Sequence, residues 1–186
     1  MSDEAIYLTQ ALVDEDQDAF AKFIKHKSVR SWINEPIFPD ELENIDFPDG
    51  YKNTTPLLYA VTNSTSSNVR QIVEAGADTQ IRDNFQNTLL HCACASQIDR
   101  LEKVRYLILL EPSHVKERNV VESTPLHYAA LNGFDDVVSE LVSYGVDVNA
   151  SGQFGNAPVC RPYLIVKKDN NHFKKSYFSM MDLFMC

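Results

Sequence analysis

Histidine and cysteine occur together at one place in the chain, where they could bind a metal. His91, Cys92 and Cys94 fall close together, and imidazole and thiolate are ligands that Zn²⁺ favours. A structural zinc site needs four ligands, commonly with C-x2-C pairs, and this segment lacks that spacing. Two residues apart on a predicted helix, Cys92 and Cys94 point in different directions. The sequence therefore predicts no metal site and no cofactor.

His91 and His127 are the candidate general bases for catalysis. Neither has a nucleophile that the sequence places beside it. The chain also has no Gly-rich phosphate loop, no H-E-x-x-H and no G-x-S-x-G segment. The sequence therefore predicts no catalytic residues and a protein that is not an enzyme.

Both histidines belong instead to a repeated hexapeptide. It reads Thr-Pro-Leu-His-Tyr-Ala at 124–129, Thr-Leu-Leu-His-Cys-Ala at 88–93 and Thr-Pro-Leu-Leu-Tyr-Ala at 55–60, and a weaker copy begins at Ala157. The copies are spaced by 33, 36 and 33 residues. Threonine can cap a helix, and proline fits its first turn because that position needs no N–H. Each copy therefore predicts the start of a helix.

The period and the hexapeptide resemble the ankyrin repeat. The resemblance implies an all-α fold, an ankyrin-repeat solenoid of helix-loop-helix units with β-hairpin-like loops. It covers about residues 1–160. These divide into an atypical N-terminal capping repeat at 1–50 with an acidic insertion at 27–50, repeats near 51–83, 84–119 and 120–152, and a partial repeat at 153–160. Residues 161–186 form a divergent C-terminal tail.

Apolar spacing within the repeats predicts three pairs of helices. The first helices lie near 56–63, 89–96 and 125–132, and the second helices near 67–75, 100–110 and 135–144. Gly76 and Gly145 each follow a second helix, which predicts a left-handed residue that ends it. The second repeat is three residues longer. One or two of its extra residues are expected near 97–101 and the rest in the following loop.

The N-terminal region departs from the repeat. Residues 4–26 predict two short helices, with Asp16 capping the second. Residues 27–50 contain three prolines and six acids interleaved with apolar residues such as Trp32. We interpret this insertion as a long loop folded back on the first repeats. The alternative is an acidic-aromatic docking segment for a basic partner.

The tail allows two interpretations. Several of its apolar residues recur at the spacing of one helix face, which predicts a helix that serves as a C-terminal cap. They are Phe173, Tyr177, Met180, Met181 and Phe184. The alternative is a disordered end left by truncation or splicing within a longer repeat array. The lysine pairs at 167–168 and 174–175 are only a loose nuclear-localisation pattern.

The chain is acidic, with a formal net charge of −9 over 186 residues. Residues 1–50 carry −8, residues 51–160 carry −4, and residues 161–186 carry +3. An acidic body disfavours nucleic acid, which needs cations against its phosphates, and anionic membranes. The chain has no secretion signal, no long apolar run and only four cysteines. These features predict a cytoplasmic protein, with the nucleus as an additional location, and a protein partner that carries a basic patch. We expect the protein to be a monomer.

Ankyrin-like proteins bind through the hairpin tips and the outward face of each first helix, as the resemblance implies. The tips precede each hexapeptide by three and four residues, and most tip residues here are apolar or aromatic. The candidate protein-binding residues are Tyr51, Lys52, Tyr59, Asn84, Phe85, Val120, Val121, Tyr128, Gln153 and Phe154. Aromatic side chains on a rigid scaffold are typical of protein interfaces. The alternative is that the tips pack on one another or on the insertion.

The sequence therefore predicts a non-enzymatic adaptor or scaffold that binds a protein through the tips and the concave face of the first helices. One alternative is a regulatory or inhibitory fragment of a larger signalling, channel or transcription-regulating protein. Another is structural self-assembly through an incompletely capped repeat end.

Overall fold

The computed structural model describes residues 3–36, 54–152, 165–169 and 172–176. Within these ranges the chain is largely helical, with a 3-10 helix at Pro112–Lys116. The α-helices are α1 (Asp3–Val13), α2 (Gln17–Ile24), α3 (Val29–Trp32), α4 (Pro56–Asn63), α5 (Ser66–Glu74), α6 (Leu89–Ala95), α7 (Arg100–Leu110), α8 (Pro125–Leu131) and α9 (Asp135–Ser143). The strands are β1 (Ile165–Asp169) and β2 (His172–Ser176).

The helices from α4 to α9 form two layers. The first helix of each repeat packs on the next, so that α4, α6 and α8 make one layer, and α5, α7 and α9 make the other. At the N-terminal end, α1 packs on α4, and α2 packs on α1. The buried apolar residues of all these helices form one continuous core. The predicted solenoid of helix pairs is therefore confirmed.

The six predicted repeat helices are confirmed to within one residue at each end. The starts of the three first helices, α4, α6 and α8, follow from the capping chemistry of the hexapeptide. Thr55 Oγ1 accepts a hydrogen bond from the Leu58 amide at 3.4 Å, and Pro56 occupies the first helical turn. Gly76 and Gly145 have φ angles of +103° and +71°, so both predicted left-handed stops are confirmed.

The three extra residues of the second repeat lie on both sides of α7. Val69 and Val104 are equivalent core residues, both fully buried, and they are 35 positions apart. Thr55 and Thr88, at the starts of the same two repeats, are 33 apart. Two of the extra residues therefore lie between Thr88 and Val104, before the buried face of α7. The third lies after Val104, as predicted. Asp99 in the preceding loop has a left-handed φ of 44°.

The N-terminal region forms three helices, of which two were predicted. Asp16 caps α2 as expected, because its Oδ1 accepts from the Ala19 amide at 2.9 Å. The short helix α3 lies inside the predicted insertion, and its Trp32 is 2% exposed. The adjoining Asn34 joins this helix to the loop after α5, accepting from the Asp78 amide at 2.7 Å. This part of the insertion is packed on the first repeat, and its apolar residues from 37 to 47 lie outside the described residues.

The tail contains a two-stranded antiparallel hairpin, so the predicted helix is wrong for residues 172–176. Phe173 lies in β2, opposite Lys168 of β1. The register pairs Asp169 with His172, which leaves two asparagines between the strands. Asparagine is favoured in such short hairpin loops, and this local signal outweighs the helical spacing. The other four residues of the predicted helix face lie outside the described residues.

A buried lysine joins the first repeat to the second. The Lys103 side chain is fully buried, and its Nζ donates to Val61 O at 2.7 Å, Ser64 O at 3.0 Å and Ser96 Oγ at 2.6 Å. Val61 is in the last turn of α4, where carbonyls lack intrahelical partners and favour a cation. Burial lowers the Lys103 pKa to about 8, which still leaves the ammonium charged at neutral pH.

Replacing this lysine by an apolar side chain of similar length tests the connection. We expect Lys103→Met to lower the free energy of unfolding by about 2 kcal/mol. Two buried carbonyls lose their partner at roughly 1–3 kcal/mol each, and removing a buried charge offsets part of that loss. Urea denaturation measures the change, with Lys22→Met at an exposed site as the control. Equal or greater stability of Lys103→Met would contradict the prediction.

Candidate functional site

Two consecutive hairpin turns are shaped by one polar side chain each. Asp83 Oδ1 accepts from the Phe85 amide at 2.8 Å and the Asn87 amide at 2.9 Å. In the next repeat Asn119 Oδ1 accepts from the Val121 amide at 3.1 Å and the Ser123 amide at 2.9 Å. A short carboxylate or amide that bonds the backbone ahead of it holds a turn closed. Both tips therefore have a defined backbone conformation.

The two tips are also joined to each other. The Val120 amide donates to Phe85 O at 3.0 Å. Below this contact, Asn119 Nδ2 donates to Asn87 Oδ1 at 2.8 Å, and this bond is buried. These bonds hold the tip of the third repeat in a set position beside that of the second. A partner would meet the two tips as one surface.

The side chains at these tips project into solvent. Phe85 is 48% exposed and Val120 is 57% exposed, while Asn84 is exposed and Val121 is half-buried. The tips contact one another through a backbone hydrogen bond and the bond between the Asn119 and Asn87 side chains, and the two apolar side chains stay accessible. The structure thus brings four of the sequence-predicted residues together.

The predicted helix residues differ in how accessible they are. Tyr128 on α8 is half-buried, and its hydroxyl accepts from Asn119 Nδ2 at 3.1 Å. Its ring meets His91 edge-on at a centroid distance of 5.6 Å. Tyr59 on α4 is only 8% exposed, and burial, followed by the nearby Asp14 carboxylate, raises its pKa. Tyr128 therefore borders the tip surface, whereas Tyr59 offers little area to a partner.

Four sequence-predicted residues lie outside the described residues. They are Tyr51, Lys52, Gln153 and Phe154. These residues belong to the expected tips on either side of the two described ones, and their contribution stays a prediction.

Sequence reasoning missed Leu131, at the end of α8. Its side chain is 52% exposed. It lies three residues after Tyr128, so both point to the same side of the helix. The equivalent residues of the first two repeats are Thr62 and Ala95, so a leucine at this exposed position was the available signal. Leu131 extends the candidate surface along α8. We call Asn84, Phe85, Val120, Val121, Tyr128 and Leu131 the tip surface.

His91 is buried beneath the tip surface and fixes the position of the tip of the third repeat. Its Nδ1 accepts from the Thr88 amide at 3.2 Å, so Nε2 carries the proton and donates to Ser123 O at 3.0 Å. Ser123 is in the next hairpin, so the imidazole connects two repeats. Burial lowers the His91 pKa from 6.5 to about 4. Both ring nitrogens are engaged, and the neutral ring acts as a structural connection between repeats.

The nearby thiols are protonated. Cys94 is buried in the core and Cys92 is half-buried on α6. Burial raises the pKa of Cys92 to about 12 and also raises that of Cys94. Thiolate is the form that binds metals and attacks electrophiles, so neither thiol is prepared for such chemistry. Among the described residues, no group of three or more His, Cys, Asp or Glu side chains converges on a common point.

None of the described helices combines the length and the apolar content that crossing a bilayer requires.

Helix pairs stacked in two layers and joined by hairpins define a repeat solenoid, and comparison with known proteins identifies its family. A model of ankyrin repeats in three copies matches residues 19–119 and 57–152. The chain belongs to the ankyrin-repeat family.

Its relatives are varied ankyrin-repeat proteins. NF-kappa-B inhibitor alpha of Sus scrofa is 36% identical over 100 residues, covering 52% of this chain and 32% of that protein. Alpha-latroinsectotoxin-Lt1a of Latrodectus tredecimguttatus is 34% identical over 124 residues, covering 61% of this chain and 9% of the toxin. Ankyrin repeat domain-containing protein 49 of Homo sapiens is 45% identical over 56 residues, covering 30% of this chain and 23% of that protein. The chain thus spans about a third or less of the length of these relatives.

The buried imidazole of His91 is expected to make the folded protein less stable in acid. Between about pH 6.5 and pH 4 the unfolded chain binds a proton at His91 that the folded chain does not. Stability therefore falls as the pH falls through this window. Between pH 7 and pH 4, we expect the titration of His91 to lower the free energy of unfolding by at most about 3 kcal/mol.

His91→Leu isolates this contribution, because Leu58 occupies the equivalent position of the first repeat. We expect the variant to be less stable at pH 7, since Ser123 O loses its donor, but to lose less stability on acidification. Urea denaturation at several pH values compares the two proteins. Parallel pH profiles for wild type and variant would rule out His91 as the source.

Proposed function

We propose that the chain is a non-enzymatic binding module that captures a protein partner through the tip surface. Ankyrin repeats are generally protein–protein interaction modules. The observation that carries the proposal for this chain is the pair of exposed apolar side chains, Phe85 and Val120, on adjacent tips held together by a backbone hydrogen bond. Apolar side chains on a preorganised backbone lose little entropy on binding, which favours affinity.

The area next to the tips supports the same role. Tyr128 and Leu131 continue the accessible surface along α8, and Val121 adds to it at the tip. A cluster of apolar and aromatic side chains with polar neighbours is typical of the centre of a protein interface. The tips that begin at Tyr51 and Gln153 would extend this surface in both directions.

A double substitution tests the proposal. We expect Phe85→Ser combined with Val120→Ser to weaken capture of partner proteins from cell extract by at least about tenfold, because losing interface anchors costs about 2 kcal/mol or more. Both side chains are about half exposed, so the melting temperature should change little. Quantitative mass spectrometry of the captured proteins gives the measurement.

Leu109→Ser is the matched control. Leu109 is 76% exposed on α7, in the other helix layer. The substitution removes an exposed apolar side chain that lies away from the tips, so we expect the capture of partner proteins to be unchanged. If both variants lost the same proteins, or neither did, binding through the tip surface would be excluded.

A second candidate is that binding inhibits or regulates the partner. The observation that favours it is the similarity to NF-kappa-B inhibitor alpha, whose name states an inhibitory role for that protein. An adaptor would leave the activity of a captured partner unchanged, whereas an inhibitor would lower it in proportion to the complex formed. Assaying the captured partner with wild type and with the double tip variant separates the two.

A further inference from the structure

We infer that the tip surface receives an uncharged, apolar face of a helix in its partner. The inference rests on the proposed function and names the chemistry of the partner at that same surface. Three features of the described tips support it. They are the pairing of the charges, the use of the backbone amides, and the apolar character of the side chains that remain accessible.

Five charged side chains beside the tips have partners within the protein. Arg82 of the second repeat forms an ion pair with Glu117 of the third. Arg118 donates to Glu122 O at 2.9 Å and lies 3.6 Å from the Glu122 carboxylate. The Asp83 carboxylate accepts three hydrogen bonds from its own turn. A charged partner would have to displace these interactions.

The formal charges around the tips also balance. Residues 82–86 and 116–122 together contain three bases and three acids. The net charge of −9 therefore comes from other parts of the chain. The basic partner expected from the overall composition has no matching acidic excess at these two tips. Because complementary charge gives specificity and speeds association, a balanced surface favours a neutral partner.

The backbone of the tips is engaged as well. At the first tip the amides of Phe85, Gln86 and Asn87 all donate to Asp83. At the second tip the four amides from 120 to 123 donate to Phe85 or Asn119. An extended peptide gains affinity by adding its main chain to free donors and acceptors. None of these seven amides is available for that purpose.

A helix avoids this difficulty. Its backbone groups are already bonded to each other, so it can cover the tips without burying unsatisfied amides, which would cost affinity. Its side chains at i, i+3, i+4 and i+7 form one apolar stripe. Such a stripe can cover Phe85 and Val120 together and continue toward Leu131. An uncharged apolar helix face is therefore the partner chemistry that this surface fits.

Peptide display on the whole chain tests the inference directly, with random peptides in place of the natural partner. One library displays a helical scaffold whose randomised face draws equally on apolar and on Lys or Arg residues. A second library displays extended peptides of the same composition. Both are selected on the wild-type protein and counter-selected on the Phe85→Ser, Val120→Ser variant, with Leu109→Ser as the folded control. Dissociation constants of the selected peptides are measured at about 0.15 M and about 1 M NaCl.

We expect binders from the helical library with apolar residues at helical spacing and little net charge. Their affinity should change by less than about threefold between the two salt concentrations, because screening acts on charged contacts. Tip-dependent binders that are basic, that weaken by more than about tenfold in salt, or that come only from the extended library would overturn the inference while supporting the tip surface as a binding site. The absence of any tip-dependent binder from both libraries would count against the proposed function as well.

Discussion

The hydrogen bond from His91 Nε2 to Ser123 O, 3.0 Å long, connects the start of one repeat to the hairpin of the next. A helix pair cannot bury its apolar face alone, so each repeat depends on a correctly placed neighbour. The same imidazole receives the Thr88 amide on its other nitrogen, so one side chain both caps a helix and sets the distance to the next turn. The positions of the tips depend on this connection, because Ser123 belongs to the turn that carries Val120.

In the layer formed by α5, α7 and α9, ion pairs also connect one repeat to the next. Residues 123–152 contain four acids and no Lys or Arg. Two of those acids are paired with arginines of the preceding repeat, at 3.2 Å for Arg100 with Asp136 and 2.8 Å for Arg105 with Glu140. Exposed pairs of this kind stabilise a protein only slightly, because solvent screens the two charges. These two pairs mainly fix the register between neighbouring repeats, since Asp136 and Glu140 each meet an arginine of the preceding repeat.

Much of this arrangement could be predicted because it is local. The hexapeptide contains its own capping chemistry, so the starts of the first helices and the positions of the tips follow from the sequence. Accessibility could not be predicted in the same way. Tyr59 and Tyr128 occupy the same position of the hexapeptide, yet they differ in burial because different elements surround them. Lys103 looks like a surface residue until packing places it against the end of α4. In the tail, the helical spacing of the apolar residues was misleading, because residues 172–176 pair as a strand with residues 165–169.

The engaged amides of the two tips also bear on whether these turns can start an intermolecular sheet. Exposed apolar residues next to unpaired backbone donors are a common starting point for sheet-like aggregation. At these tips the N–H groups of Phe85 and of residues 120–123 are directed inward to Asp83, Asn119 and the neighbouring turn. The chain can therefore display Phe85 and Val120 while these N–H groups stay unavailable to an intermolecular sheet. Asp83 and Asn119 thereby remove donors from the tip backbone as well as forming the turns.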